Sequence, residues 1–475
     1  MHDLDRRGRL RVLAVCCCSL FVVGLDNTIV NLALPAIATD LHAGYTGLQW
    51  TVDAYTLVLA ALLMLAGSVA DRIGRRRVFR TGLLLFGLGS LLCSVATGTG
   101  TLIAARVLQA VGGSMLNPVA MSIITNTFTE RRERASAIGV WGAVIGLSMA
   151  LGPLLGGVLV ATAGWRAIFW INVPVVVAAF LAAARFVPES RAERPRRIDP
   201  LGQVLVALVL AGVTFAIIES PAHGPTSPLI LGVVAVALAS GAGYAVHARR
   251  HPEPLIDLRF FASAPFTGAT VVAVAAFASM GGFLFLSALY LQQVRGWSAL
   301  HAGLLTLPMA AMTAVLPPVS GRLVGSRGTR LPLLIGGTGI AAAGALFTGL
   351  GPATPVWYLV VSFAVFGVGF GFVNAPITTS AVSGMPDSRA GVAAAVASTS
   401  RQVGATLGVA VLGTIATAGA GGGVSLTDAA LPSWLVMLGC GLLIVVLGAA
   451  TTGRWARATA ERVRLVDDPV VLPTR

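Results

Sequence analysis

Four ionisable side chains fall inside long apolar runs: Asp26, Asp53, Arg106 and Arg401. A charge at the centre of a membrane costs at least ~2.5 kcal/mol, so each is a functional candidate by default. Asp26 sits midway along the first run, with Asn27 beside it and Asn31 one helical turn beyond Asn27. Burial penalises the charge of such a carboxyl. That suits a group that must take up and release a proton near neutral pH, or one that recognises a cation. The plainer alternative is a structural acid that hydrogen-bonds at a kink. Asp53 lies in the first turns of the second run, either as a second coupling acid or as an interfacial cap. Arg106, one turn from Gln109, is a permanent cation; it cannot carry a proton but can tune an acid that does. Arg401, with Gln402 beside it, can bind substrate or pair with an acid from the first half. Asn27, Asn31, Gln109 and Arg401 are the expected polar lining of a substrate cavity.

The elements that must position these residues follow from composition. Of 475 residues, 56% are hydrophobic and only 11% charged, well under the roughly 25% of a soluble domain. The apolar residues come in blocks of about 20, enough for a helix to cross a ~30 Å hydrocarbon core. The blocks are continuous, whereas a barrel needs alternation. Fourteen spans are expected: 11–35, 48–70, 78–97, 101–125, 136–160, 166–187, 200–219, 228–247, 266–291, 300–321, 331–350, 356–382, 391–418 and 432–452. The first is read as a retained helix, since its apolar part is too long for a cleaved leader and no small-residue cleavage site precedes the first loop.

An even count puts both termini on one side. Sorting the 33 arginines by loop then places 29 on that side and two, Arg166 and Arg295, on the other. By the positive-inside rule the arginine-rich face is cytoplasmic. Arginines confined to short loops speak for topology rather than nucleic-acid binding. Five cysteines, all inside apolar runs, argue against a disulfide framework. The six histidines, scattered along the chain, suggest no metal site and no membrane enzyme.

Between the second and third spans stands "GSVADRIGRRR", residues 67–77. Gly67, Asp71 and Gly74 recur in spacing as Gly321, Gly325 and Gly328, 254 residues later. "NPVAMSIITNTFTERRERASA" echoes "NAPITTSAVSGMPDSRAGVAA" at a similar offset. Spans 1–6 and 9–14 therefore read as two related halves with spans 7 and 8 inserted. Such repeats place a substrate site between the halves, which rock to expose it alternately. In the fifth span Gly139, Ala143, Gly146, Ala150, Pro153 and Gly157 share a face, the pattern of close helix packing. Aromatics of the ninth span, Phe277, Phe283, Phe285 and Tyr290, are candidates to line an apolar pocket. Spans 9–12 contain no acid, which favours a neutral or monocationic lipophilic substrate.

The charged turn, with Gly67, Asp71, Arg72, Gly74, Arg75 and Arg76, resembles the loop 2–3 signature of the major facilitator superfamily. "LIAARVLQAVGGS" is similar to its helix 4 signature, with Arg106, Gln109 and Gly112 matching. "GLSMALGPLLGG" is similar to the helix 5 signature of its antiporters through Gly146, Gly152, Pro153, Gly156 and Gly157. "LDNTIVNLALPAI", "WTVDAYTL", "GWRAIFWINVP" and "SRQVGATLGVAVLG" resemble the fourteen-helix drug:proton antiporter subfamily. The resemblance covers nearly the whole chain. It implies an all-α polytopic membrane protein of the major facilitator fold, two six-helix bundles plus two inserted helices.

The expected divisions are 1–187 for the first bundle, 188–265 for the linker, 266–455 for the second bundle and 456–475 for a cytoplasmic tail. The resemblance further implies proton-coupled efflux of lipophilic drugs or antibiotics, with import of a small nutrient on the same fold as the alternative. Asp26, Arg106 and Asp53 would couple protons. Gly67, Asp71, Arg72, Gly74 and Arg75 would form a cytoplasmic gate, Asp71 latching onto a helix N-terminus in the opposite half when the transporter faces outward. The expected partners are a small lipophilic substrate, protons and the bilayer, with no cofactor beyond the proton gradient, no nucleic acid and a monomeric state.

Overall fold

The computed structural model describes residues 5–192, 197–383, 385, 389–421 and 424–467. Fourteen helices are long and apolar enough to cross a membrane. In the first half they are α1 (Arg6–Leu41), α2 (Tyr45–Ile73), α3 (Arg75–Ser94), α4 (Thr99–Thr127), α5 (Arg131–Ala163) and α6 (Ala167–Phe186). The linker contributes α7 (Pro200–His223) and α8 (Pro228–Arg250). The second half has α9 (Ala264–Val294), α10 (Ala299–Arg327), α11 (Arg330–Phe347), α12 (Val356–Ser383), α13 (Gly391–Ala420) and α14 (Leu426–Ala450). Every expected span is present, several running one or two turns further at an end. A final amphipathic helix, α15 (Arg454–Asp467), buries Ala456, Ala460 and Val463.

Local chemistry starts these helices where they start. Asp5 caps α1 through the Gly8 N–H (2.7 Å), Asp199 caps α7, and Ser227 caps α8. Pro200 and Pro228 occupy the first helical positions, where a missing N–H costs nothing. Gly74 and Gly328, matched in the sequence repeat, follow the ends of α2 and α10 at φ +125° and +77°, a backbone region closed to other residues. Their N–H groups bond Ala70 O and Val324 O respectively.

The helix pairing repeats as well. In the first half α1 packs on α5, α2 on α4, and α3 on both α4 and α6; in the second, α9 packs on α13, α10 on α12, and α11 on both α12 and α14. The second echo named in the sequence lies partly outside the described residues. The halves meet through two symmetry-related pairs, α5 with α10 and α2 with α13. The core of the second half is aromatic: Phe283 stacks on Phe366 (4.3 Å between centroids) and meets Phe363 edge-on at 4.8 Å. Phe283 and Phe285 are fully buried and Tyr290 bonds Gly351 O. These three are therefore packing residues rather than pocket lining, and of the four aromatics Phe277 alone is left for that role.

Of the linker pair, α7 packs against both α2 of the first half and α13 of the second, and α8 packs on α7. Trp50 of α2 donates to Glu219 of α7 (2.8 Å), and Gln203 of α7 donates to Ala61 O of α2.

Candidate functional site

The ionisable residues of the first half converge inside its bundle. Asp26 of α1 and Arg106 of α4 form an ion pair between side chains 0% and 1% exposed. Gln109, one turn along α4, accepts from Arg106 Nη1 (2.7 Å) and donates to Asp26 Oδ1 and to Ser90 Oγ of α3 (2.8 Å each). Asn172 of α6 donates to the same Asp26 oxygen at 3.1 Å. Arg106 also donates from Nε to Thr51 O of α2 (3.1 Å) and lies over the Tyr55 ring, 4.1 Å from its centroid. Five helices thus contribute to one sealed network. Removing either charge leaves the other buried without a counter-charge, a loss of about 3–5 kcal/mol in other proteins.

Three residues of this network escaped the sequence reading. Ser90 and Asn172 are neutral and unremarkable in type, though Asn172 lies within "GWRAIFWINVP". Tyr55 was visible beside Asp53 but faces Arg106. Gln109 was expected on a cavity wall. It is fully buried within the bundle instead, because both ends of its amide are taken by the network. Asn31 donates only to backbone, Asn27 O and Thr28 O, and the side-chain oxygens of Asn27 and Asn31 are without partners.

Asp53 stands apart. It is fully buried, its Oδ1 meets only the Thr56 hydroxyl (3.5 Å), and Oδ2 has no partner. Thr56 in turn accepts from Thr406 of α13 (2.9 Å), so this acid borders the seam between the halves. Arg401, expected to pair with an acid of the first half, has no ion pair among the described residues. It donates to the Thr378 hydroxyl and approaches the Phe277 ring at 5.9 Å.

The seam is closed at the end remote from the termini. Gln49 of α2 donates to Val409 O (3.2 Å), Ala410 O (3.4 Å) and Thr414 Oγ1 (3.0 Å) of α13. Those carbonyls belong to a π turn, Val409–Gly413, where the regular helical ladder is interrupted. Tyr45 donates to Gln293, and Gln292 donates to Leu32 O. On the symmetry-related side a Cβ on Gly157 would stand 2.6 Å from Ala299 O, and one on Gly303 would stand 2.6 Å from Pro153 O. Gly152 and Gly156 press on Thr28 and Ile29 of α1. The antiporter-like stretch thus fastens α5 both within its half and across the seam. Gly146 differs: like Gly139 on α5 and Gly321 and Gly325 on α10, it has nothing within 4 Å of a Cβ. The small-residue stripe works at one end only.

Among the described residues, the contacts of Asp71 and Arg75 in the charged turn stay within the first half and the segment after α6. Asp71 pairs with Arg75, its neighbour one turn on (2.8 Å), and Asp71 O accepts from Ala192 N. Arg75 N donates to Ser190 O, and Glu189 accepts from Arg76 N (3.0 Å). The turn is clasped here to the segment after α6; the expected latch belongs to an outward-facing arrangement. Glu189 was not identified from the sequence, although an acid following "RFVP" at a span's end was its signal.

The histidine reading needs correction as well. His247 and His251 stand one turn apart at the end of α8, and Asp199, 48 residues earlier, lies against them; donor atoms of the three are within 4.8 Å of one another. An outer apolar groove of about 760 Å³ lies beside Trp170 and Leu181.

Two repeated six-helix bundles meeting at a central seam, with an ion pair sealed in one of them, define a polytopic membrane transporter. The Major Facilitator Superfamily model matches residues 16–409, and the chain belongs to that family. It is 35% identical to multidrug resistance protein Stp of Mycobacterium tuberculosis, over 86% of this chain and 76% of that one. It is 36% identical to the tetracenomycin C resistance and export protein of Streptomyces glaucescens, over 83% and 74%. With multidrug efflux pump LfrA of Mycolicibacterium smegmatis it shares 35%, over 86% and 80%. The crystal structure of a bacterial homologue of the lysosomal transporter Spinster, inward-facing and unoccupied, superposes with a TM-score of 0.66, covering 99% of this chain and 100% of that one at 18% identity. That likeness shows the fold.

Proposed function

We propose that the protein is a proton-driven antiporter that expels lipophilic drugs or antibiotics across the cytoplasmic membrane, with its terminal face in the cytoplasm. The observation that carries the coupling is the sealed Asp26–Arg106 pair. A titrating acid inside one bundle can bias how that bundle packs, and so which way the seam opens. Asp53 adds a second acid at the seam itself, where its Oδ1 meets only the Thr56 hydroxyl and its Oδ2 has no partner. Residues 1–187 and 266–455 are the rocking halves, 188–265 the linker and 456–475 the tail. Arg401 and Phe277, with Asn27 and Asn31, are the proposed cavity groups, and the Asp71–Arg75 turn the gate. The closed remote end and the open glycines on α5 and α10 correspond to an inward-facing state.

Export rather than nutrient import is supported by the names of the relatives. No enzymatic step, cofactor or nucleic acid enters this mechanism, and a monomer suffices for it. One charge moving through 100 mV supplies ~2.3 kcal/mol, enough for a roughly 50-fold gradient.

Everted membrane vesicles test the proposal. Lipophilic cations and neutral antibiotics added to energised vesicles should release protons from the lumen with the parent chain and not with Asp26→Asn. Equal substrate binding by both purified proteins would show that the variant is folded. Proton exchange by folded Asp26→Asn at the parent's rate would refute the coupling role.

A further inference from the structure

The Asp199–His247–His251 cluster lies outside everything the transport mechanism uses. Asp199 is 4% exposed. Its Oδ1 accepts the Gly202 N–H (2.9 Å) and faces His247 Nε2 at 2.8 Å, and its Oδ2 accepts the Leu255 N–H (3.1 Å). The carboxylate is thereby fixed in place by backbone groups from two segments. His251 follows His247 by one turn; the rings stand 5.1 Å apart and tilted by 36°. The His251 ring is set by the Glu253 N–H on Nδ1 (3.2 Å). An ion pair with Asp199 needs one imidazole, and a second beside it would only add like charge when protonated. Two imidazoles and a carboxylate converging on one point are instead the donor set of a zinc-class ion.

We propose that these three side chains form a binding site for a transition-metal dication, zinc by chemistry. The ion takes the place of the proton now shared between His247 and Asp199, and that proton is released to solvent. Tetrahedral zinc holds its ligand atoms about 3.3–3.5 Å apart. The 2.8 Å contact must widen slightly and His251 must close in, within the spread of the donors present. The single N–H contact from Glu253 to His251 competes with the ion and yields to it. Gly202 and Leu255 remain on the carboxylate as the outer hydrogen bonds that orient a metal ligand. The bound ion would staple two segments at the terminal face, the start of α7 and the end of α8, while the Leu255 N–H ties the chain leading to α9 to the same carboxylate. The site would thus fix the linker rather than take part in transport chemistry.

The test uses full-length, tag-free protein in detergent and titrates it with cobalt(II) alone. One equivalent should give the intense ligand-field absorption of a low-coordinate nitrogen–oxygen site, and zinc should bleach it. Zinc should raise the melting midpoint and a chelator should reverse the rise. His247→Ala and His251→Ala should each abolish the absorption and the zinc-dependent rise; His251→Ala should melt like the chelated parent, and His247→Ala somewhat lower because it also loses the contact with Asp199. His251→Gln provides the same readout with less lost volume should the alanine variants fail to fold. Asp199 is left intact because it caps α7. Absence of cobalt absorption in the parent, or absorption that persists in the histidine variants, would overturn the site.

Discussion

Asp26 on α1 and Arg106 on α4 are sealed against each other, and Gln109 touches both. Such a trio stands or falls together. Asp26→Asn should destabilise the protein by about 3–5 kcal/mol through the stranded guanidinium. Ser90→Ala, which removes only neutral contacts, from Gln109 and more weakly from Asn172, should cost about 1 kcal/mol. Denaturant or SDS unfolding of the purified variants measures both. Equal effects would mean that the network is not organised around the charge pair.

The seam glycines should behave differently from Gly146, although Gly157 and Gly146 belong to one motif. Gly157→Ala and Gly303→Ala drive a methyl toward a carbonyl 2.6 Å away, so the remote end must part. Spin labels across that end of α5 and α10 should show longer distances and a larger open population. Gly146→Ala meets nothing within 4 Å and should leave the distance distribution unchanged, with stability the same or about 0.5–1 kcal/mol higher from the better helix former.

Gln49 is the second fastener of that end. Its amide satisfies two carbonyls of the π turn in the opposite half. Gln49→Leu removes that donor, leaving Ala410 O with the Thr414 N–H, a loss of about 1 kcal/mol in the closed arrangement only. The expected result is a shift toward the remote-open state, read as increased labelling of a cysteine placed near Gln292. Global unfolding should move less than that equilibrium does.

What could be read from the sequence was set by the strength of each local signal. The span count followed from block lengths and arginine placement, because lipid permits few alternatives to a continuous apolar helix. The repeat was legible through Gly74 and Gly328, where backbone angle dictates the residue. Asp26 and Arg106 announced themselves as charges in apolar runs, but not as partners: nothing in a sequence tells which face of α1 meets α4. Neutral partners such as Ser90, Asn172 and Gln49 carry no such mark. The Asp71 latch was expected from resemblance; the clasp with Glu189 depends on the chain folding back after α6, which spacing does not encode. His247 and His251 were at helical spacing in plain view. Their third member lies 48 residues upstream, across a helix hairpin, and so the cluster went unseen.

Acid should loosen the approach to α9 first. Asp257 caps the short 3₁₀ turn Leu258–Ala262 through the Arg259 N–H (3.0 Å) and grips the Arg259 guanidinium at 2.7 Å. Burial works against its charge. The Arg259 side chain and backbone N–H, with Arg389 further off, more than offset this and hold the carboxyl below its ordinary range. A carboxylate depressed in the folded state stabilises fully above its unfolded value, and that contribution is lost as pH falls through the folded one. The window therefore opens below about pH 4. Between pH 7 and 5 the melting midpoints of the parent should be flat with respect to this group, and below pH 4 they should drop. Asp257→Asn should melt lower than the parent at pH 7 and should narrow that gap steadily on acidification. A gap that stayed constant to pH 3 would mean that the Asp257 charge contributes nothing to holding the turn.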